Sequence, residues 1–246
     1  MITSKENEKL KLIRKLGMKK HRRKSGMFVT EGEDLATAGL GAGHEPVALL
    51  VHPESTLPGE EVEPKLLDEV ATLASGTRVI GIWNEIWAEP ELLAAEKCIF
   101  LDAISDPGNV GTMIRTADVL IGGTVVLGPG SADPFSAIAV RSSMGSIFTQ
   151  PVLKAGIEQT PAPRIATVPR GGGQPGPIPG PATICLGSER EGLSPEVLKE
   201  CEIRWTIPQR PDGAQSLNVA AAAAIACERI ASAPNGNPSD QRESGN

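Results

Sequence analysis

Short apolar blocks alternate with amphipathic stretches along most of the 246 residues. Met27–Thr30, Val47–Val51 and Thr77–Ile82 read as strands in the first third. Cys98–Ala103, Thr124–Leu127, Phe148–Val152, Arg164–Val168, Ala182–Leu186 and Arg204–Ile207 read as strands in the rest. Apolar residues at helical spacing predict helices between them. These cover residues 5–24, Asp34–Ala42, Glu63–Ala74, Val110–Ile121, Ala137–Gly145, Pro195–Cys201 and Ser216–Ser232. Gly17 weakens the first by about 1 kcal/mol. Asn109 occupies the N-cap position of the fourth, and Ser194-Pro195 supplies a cap and first helical residue for the sixth. Unbroken apolar strands joined by helices predict a mostly parallel sheet covered on both faces. A boundary near Pro90–Lys97 separates a small α/β domain, 1–93, from a larger one, 97–232. The Pro/Gly-rich run Arg170–Pro181 reads as a flexible surface loop, and the polar tail 233–246 as disordered.

Charge adds a feature that the periodicity does not show. Residues 5–24 carry ten basic side chains against Glu6 and Glu8, a local net of +8 in a chain whose total is −6. Such a run reads as a phosphate-contact surface, with Lys19, Lys20, Arg22 and Arg23 as candidate RNA contacts, or as a solvated helix face. No apolar run approaches the length of a membrane span, and the basic start lacks the apolar core of a secretion signal. Cys98, Cys185, Cys201 and Cys227 are far apart, which predicts reduced, buried thiols in a cytoplasmic protein. His21, His44 and His52 all lie in the first quarter, and there is no tyrosine. Chemistry at the later glycine loops therefore runs without a histidine base or a histidine-held metal.

Those loops follow Leu127, Leu186 and Ile207, at strand ends where parallel sheets bind ligands. Gly128 and Gly187 would let a ligand approach the backbone, and Gly192 would bend the loop carrying Glu189 and Glu191. Glycines after strands are also ordinary turn residues. Arg115 projects from the side of its helix opposite Val110, Met113, Ile114 and Ala117. It is placed either as a surface residue or to grip a phosphate or carboxylate. Ser216 caps the last helix or faces a ligand, and the Ala220–Ala224 run makes that helix slim.

Three segments carry a specific resemblance. Asn109–Ala117 (NVGTMIRTA) resembles the first motif of the SpoU/TrmH family of SPOUT methyltransferases. Leu186–Ser194 (LGSEREGLS) resembles its second, and Ile207-Pro208 followed by Ser216–Ala220 (SLNVA) its third. The three come in the family's order over roughly residues 97–232. Phe28–Glu33 (FVTEGE), with the basic start, is similar to the substrate-binding domain ahead of many members. That domain resembles a kink-turn-binding ribosomal protein. The turn Gln209–Gln215 is about one residue longer than in many relatives.

The resemblance implies an α/β fold with a C-terminal trefoil-knotted SPOUT domain behind a small RNA substrate-binding domain. Such a knot is an exception to the rule against threaded chains. It implies S-adenosylmethionine as cofactor, a homodimer with the site near the subunit interface, no metal, and 2′-O-methylation of a ribose in RNA. An appended N-terminal domain favours ribosomal over transfer RNA by analogy. Asn109, Arg115, Glu189, Ser216 and Asn218 fall at positions given catalytic or RNA-facing roles. Thr167, Leu186, Gly187, Gly192, Ile207, Pro208 and Leu217 make up the expected cofactor set. Arginine resists deprotonation, so Arg115 is expected to hold a phosphate and stabilise a developing alkoxide. The alternatives are a tRNA methyltransferase, a knotted protein that binds RNA without methylating it, and a nucleotide-binding enzyme with no RNA role.

Overall fold

The computed structural model describes residues 1–72, 76–94, 97–174, 178–210, 212 and 216–231. The first domain has a four-stranded sheet built from β1 (Met27–Glu31), β2 (Ala48–Val51), β3 (Glu60–Glu61) and β4 (Val79–Asn84), in the order β1-β4-β2-β3. β4 runs antiparallel to both neighbours, so this alternating segment does not make a parallel sheet. Helices α1 (Glu8–Leu16) and α4 (Pro64–Val70) cover one face. Leu10, Ile13, Leu16, Leu67 and Val70 meet Leu50, Ile80 and Ile82 there. The helix predicted for residues 5–24 divides at Gly17 and Met18 into α1 and α2 (Lys19–Ser25). Met18 is extended. Arg22 stabilises the break, donating from Nη1 to the Leu16 and Gly17 carbonyls at 2.7 and 3.1 Å, where α1 would otherwise leave acceptors unpaired. Of the helix predicted for Glu63–Ala74, Leu73 and Ala74 lie outside the described residues.

The other face of the small sheet, with α3 (Glu33–Gly41), packs directly on the second domain. Three of the chain's four phenylalanines sit at this joint. The Phe28 ring lies 5.0 Å from Phe135 and 5.8 Å from Phe148, and Trp83 meets Phe148 edge-on at 4.8 Å. Such contacts add about 0.5–1.5 kcal/mol each to the area they bury. His44 reaches the Phe148 carbonyl at 2.8 Å. The two domains thus share one continuous core.

The second domain holds six parallel strands in the order β10-β8-β9-β5-β6-β7. They are β5 (Lys97–Asp102), β6 (Thr124–Leu127), β7 (Val152–Lys154), β8 (Arg164–Thr167), β9 (Ala182–Gly187) and β10 (Ile203–Trp205). Alternate side chains enter different cores. Ile99, Leu101, Val125 and Ile184 face one side, whereas Cys98, Phe100, Val126 and Cys185 face the other. Helices α5 (Pro107–Leu120), α6 (Ala137–Ser143) and α8 (Val219–Ala231) cover the first side, and α7 (Pro195–Glu200) the second. Lys97 Nζ donates to the Ile230 carbonyl at 2.6 Å, tying the first strand of the domain to the C-terminal end of its last helix.

Several predicted elements differ, and the following have a physical reason. The helix α5 begins at Pro107 and not Val110, because Asp106 is its cap: Oδ1 accepts from the Asn109 N–H at 2.7 Å. Phe148–Val152 is not one strand. Phe148 closes a 3-10 turn into the joint, and Pro151 has no N–H for a ladder, so β7 starts at Val152. The last helix begins at Val219, after Asn218 and not at Ser216; Ser232 lies outside the described residues. The run Arg170–Pro181 is partly fastened. The Gly173 N–H donates to the Arg204 carbonyl and the Thr206 N–H to the Gly173 carbonyl, both at 3.1 Å, and Ile178 is buried. Residues 175–177 and the tail 233–246 lie outside the described residues.

Candidate cofactor and catalytic site

The loops leaving β8, β9 and β10 enclose a cavity of about 410 Å³. Thr167, Leu186, Gly187, Trp205, Ile207 and Leu217 line it, as does the loop Ser188–Leu193. Every expected cofactor position but one is therefore in its wall; Pro208 is not among the lining residues. The glycines act differently from expectation. A Cβ on Gly187 would stand 2.1 Å from the Gly192 carbonyl carbon and 2.2 Å from the Leu193 nitrogen. One on Gly128 would stand 2.6 Å from the Phe100 ring. Both glycines make room for the chain itself. Ser188 and Gly192 exchange two backbone hydrogen bonds of 3.0 and 2.9 Å, and Gly192 adopts φ +73°, which closes the loop into a compact ring. Buried Asp102 holds the exit of this ring, its Oδ2 accepting from the Ser194 N–H at 2.7 Å.

At the cavity mouth the three motif segments join through side chains. Asn218 Nδ2 donates to Asn109 Oδ1 at 3.2 Å, and Asn109 Nδ2 donates to Glu189 Oε1. The Asn218 Oδ1 also accepts from the Ala220 and Ala221 N–H groups at 2.9 and 3.3 Å, so this residue caps α8 while it points at the site. Asn109 is free to do this because Asp106 has taken the capping role. Ser216 is exposed and lines the cavity without capping.

Arg115 is exposed and stands apart from this group. It lies six residues beyond Asn109, which places it about 9 Å along α5 and about 120° around it. Among the described residues it has no ion-pair partner. On its own stripe of the helix, Val119 is 71% exposed.

The basic helix divides by burial. Lys19, Lys20 and Arg23 are exposed, but Arg22 is 5% exposed and is not an RNA contact as predicted. Its Nε and Nη2 donate to Asp133 Oδ2 at 3.0 and 2.8 Å across the domain joint. The thiols behave as apolar side chains, with one exception. Burial pushes Cys227 up to about 12. Contact with Cys201, then burial, raises Cys185 far above the ordinary thiol range. Cys201 is only half-buried, 3.6 Å from the Cys185 sulfur. Among the described residues no three His, Cys, Asp or Glu side chains gather as metal ligands, and no helix is long and apolar enough to cross a membrane.

Sequence reasoning missed Trp205 in the cavity wall and Asp102 beneath the loop. A lone tryptophan closing the last strand, and an acid closing the first strand of this domain, were the available signals.

A family model described as the SpoU rRNA Methylase family matches residues 96–228. The chain belongs to the SpoU rRNA methylase family. An MRM3-like substrate binding domain matches residues 7–89. This SpoU-family chain is 33% identical over 241 residues to the 23S rRNA (guanosine(2553)-2'-O)-methyltransferase RlmP of Bacillus subtilis, covering 91% of this chain and 96% of that protein. An AdoMet-bound rRNA methyltransferase from Sinorhizobium meliloti superposes with a TM-score of 0.80 at 29% identity, over 92% of this chain and 95% of that one. The AviRb methyltransferase from Streptomyces viridochromogenes shares the fold at a TM-score of 0.81 and 22% identity, over 92% and 97%. The cavity and the three motif segments thus lie in the part of the chain that defines the family.

Proposed function

We propose that this SpoU-family chain transfers a methyl group from S-adenosylmethionine to a ribose 2′-hydroxyl of ribosomal RNA, in the cytoplasm. The observation that carries this is the meeting of Asn109, Glu189 and Asn218, one from each motif segment, beside a cofactor-sized cavity. The residues present fit S-adenosylmethionine. The volume lies in the usual range for small-molecule sites, and the wall combines loop backbone with the apolar Trp205, Leu193 and Leu198. When bound, the cofactor would supply an electrophilic methyl group: the O–CH3 bond to the ribose oxygen would form as the S–CH3 bond breaks, with the neutral thioether as leaving group and the hydroxyl proton lost to solvent. The protein's part is positioning. Glu189, fixed by Asn109, and Ser216 at the mouth orient the ribose hydroxyl. A cation is needed where negative charge develops on the 2′-oxygen, and Arg115 is the residue assigned to that task.

Arg115 is exposed and is not among the residues lining its own chain's cavity, which supports delivery from a second subunit. Exposed Val119 and Leu120 on α5 and Ile225 on α8 offer the apolar face for a homodimer. The strand order β10-β8-β9-β5, with α8 returning to pack on α5 and β9, supports the trefoil threading. The slim Ala220, Ala223 and Ala226 face of α8 suits that path.

The test is calorimetry with S-adenosylmethionine followed by tritium transfer from the labelled cofactor to unmodified 23S rRNA and to bulk tRNA. Binding with transfer to rRNA is expected. Transfer to tRNA alone would redirect the substrate, and binding of RNA without any transfer would make this a non-catalytic relative.

A further inference from the structure

A second cavity, of about 470 Å³, opens where the two domains meet. Its floor is the loop Leu127–Asp133 after β6 and its sides are α2, Trp87 and the end of β7. Three cations line it: Lys19 and Arg23, one turn apart on α2, and Lys154 at the end of β7. Among the described residues none of the three has a carboxylate partner. Lys154 lies 3.9 Å over the Trp87 ring instead. The two acids in the lining already have partners. Asp133 is held by Arg22, and Glu85 accepts from Trp87 Nε1 at 2.8 Å. With Arg22 offsetting Asp133, the three cations outnumber the one remaining acid, Glu85, so the cavity carries a net positive charge in a chain of net charge −6.

Its place on the sheet matters as much as its charge. β6 and β9 flank β5, and Leu101 is level with both Leu127 and Leu186. The loops after β6 and β9 therefore leave one edge of the sheet, about two strand spacings, or roughly 10 Å, apart. The joint cavity and the cofactor cavity open from that edge.

We propose that the joint cavity is a phosphate-binding subsite for the RNA strand that carries the target ribose. Lys19, Arg23 and Lys154 would hold the backbone of a flanking nucleotide while the 2′-hydroxyl lies at the cofactor cavity. This rests on the RNA methyltransferase reading above. The site sets where along the strand the enzyme grips, and the Arg22–Asp133 pair keeps the two halves of the grip at fixed separation. The geometry accounts for a division within one basic helix: Lys19 and Arg23 line the cavity, Arg22 locks the joint beneath them, and Lys24 faces elsewhere.

The experiment compares two double variants that each remove two exposed cations from the basic stretch. Lys19→Ala/Arg23→Ala empties the cavity of two charges. Lys15→Ala/Lys24→Ala removes two that do not line it. Binding to in-vitro-transcribed 23S rRNA is measured against salt, with methyl transfer and S-adenosylmethionine affinity followed in parallel. The first double should lose about tenfold or more in rRNA affinity, and its log–log salt slope should fall by about 1.4, from two lost contacts at roughly 0.7 each. Its KM for rRNA should rise with kcat and cofactor affinity little changed. Lys154→Ala should act in the same direction. The second double should stay within about threefold of wild type. Equal losses in the two doubles would overturn the subsite and leave α2 a diffuse basic face, with the methyltransferase reading intact. Failure of the wild-type protein to methylate any rRNA would remove the reading itself and the subsite with it.

Discussion

The two cavities on the edge of the large sheet are both lined largely by loop backbone and apolar groups, but they differ in the sign of the charged side chains at their walls. The cofactor cavity is walled by loop backbone, apolar side chains and a tightly closed glycine ring, and among the described residues its charged lining is Glu189, Arg190 and Glu191. The joint cavity adds Lys19, Arg23 and Lys154 to a wall of loop backbone and Trp87, beside the Arg22–Asp133 ion pair. The first is specified by shape and the second by electrostatics. They should therefore fail differently. Lesions in the first act through loop geometry and are insensitive to salt. Lesions in the second act through charge and are screened.

The largest effect expected belongs to the joint. Arg22→Ala leaves the largely buried Asp133 carboxylate without its counter-charge, with only the Phe135 N–H still donating to it, and removes the donors that close α1. It should cost about 3–5 kcal/mol of stability, read by denaturant unfolding. If Arg22→Ala melts like wild type and only loses RNA affinity, Arg22 is a contact residue and not a lock.

Next comes Arg115→Ala. It should lower kcat by about 10²–10³-fold, as for other charge-stabilising groups, with cofactor affinity within a few-fold. Near-normal turnover would remove its assignment. The same variant sharpens the dimer question. Mixed one to one with a cofactor-binding-deficient Gly187→Ala protein, it should recover about a quarter of wild-type activity, because half the dimers of a two-fold assembly would hold one complete site. If Arg115 acts within its own chain, a mixed dimer regains no complete site, and no recovery is expected.

Smaller is the effect of Gly187→Ala on its own cavity. The added methyl overlaps the Gly192 and Leu193 backbone and must open the ring. Cofactor affinity should fall by about tenfold to a hundredfold with little change in salt dependence, as measured by calorimetry. A salt-dependent loss would show that charge matters in this cavity too.

The large sheet was legible because its strands are apolar on both faces, as strands covered by helices on each side must be. Helix starts were harder to read, since Asp106 and Asn109 are both good caps and only the fold shows which one is used. The site positions were legible through the three motifs, but their linkage was not. Asn109 meets partners 80 and 109 residues away, and no local pattern encodes such contacts. The same limit hid the division within the basic helix. Lys19, Arg22 and Arg23 look equivalent in sequence, and Arg22 differs only because Asp133, 111 residues on, faces it across the joint. The Pro/Gly-rich run misled for a related reason: two hydrogen bonds to the flank of β10 fasten it, and these are backbone contacts that composition does not reveal. The longer turn Gln209–Gln215 falls mostly outside the described residues.

A methyl group on a ribose oxygen of rRNA is read by alkaline cleavage. Base cuts RNA through the 2′-oxygen, so a methylated ribose leaves a gap in the cleavage ladder. Unmodified 23S rRNA incubated with the protein and S-adenosylmethionine should acquire one such gap, absent with Arg115→Ala. A complete ladder, together with stoichiometric methyl incorporation into the bases, would rule out ribose methylation by this protein.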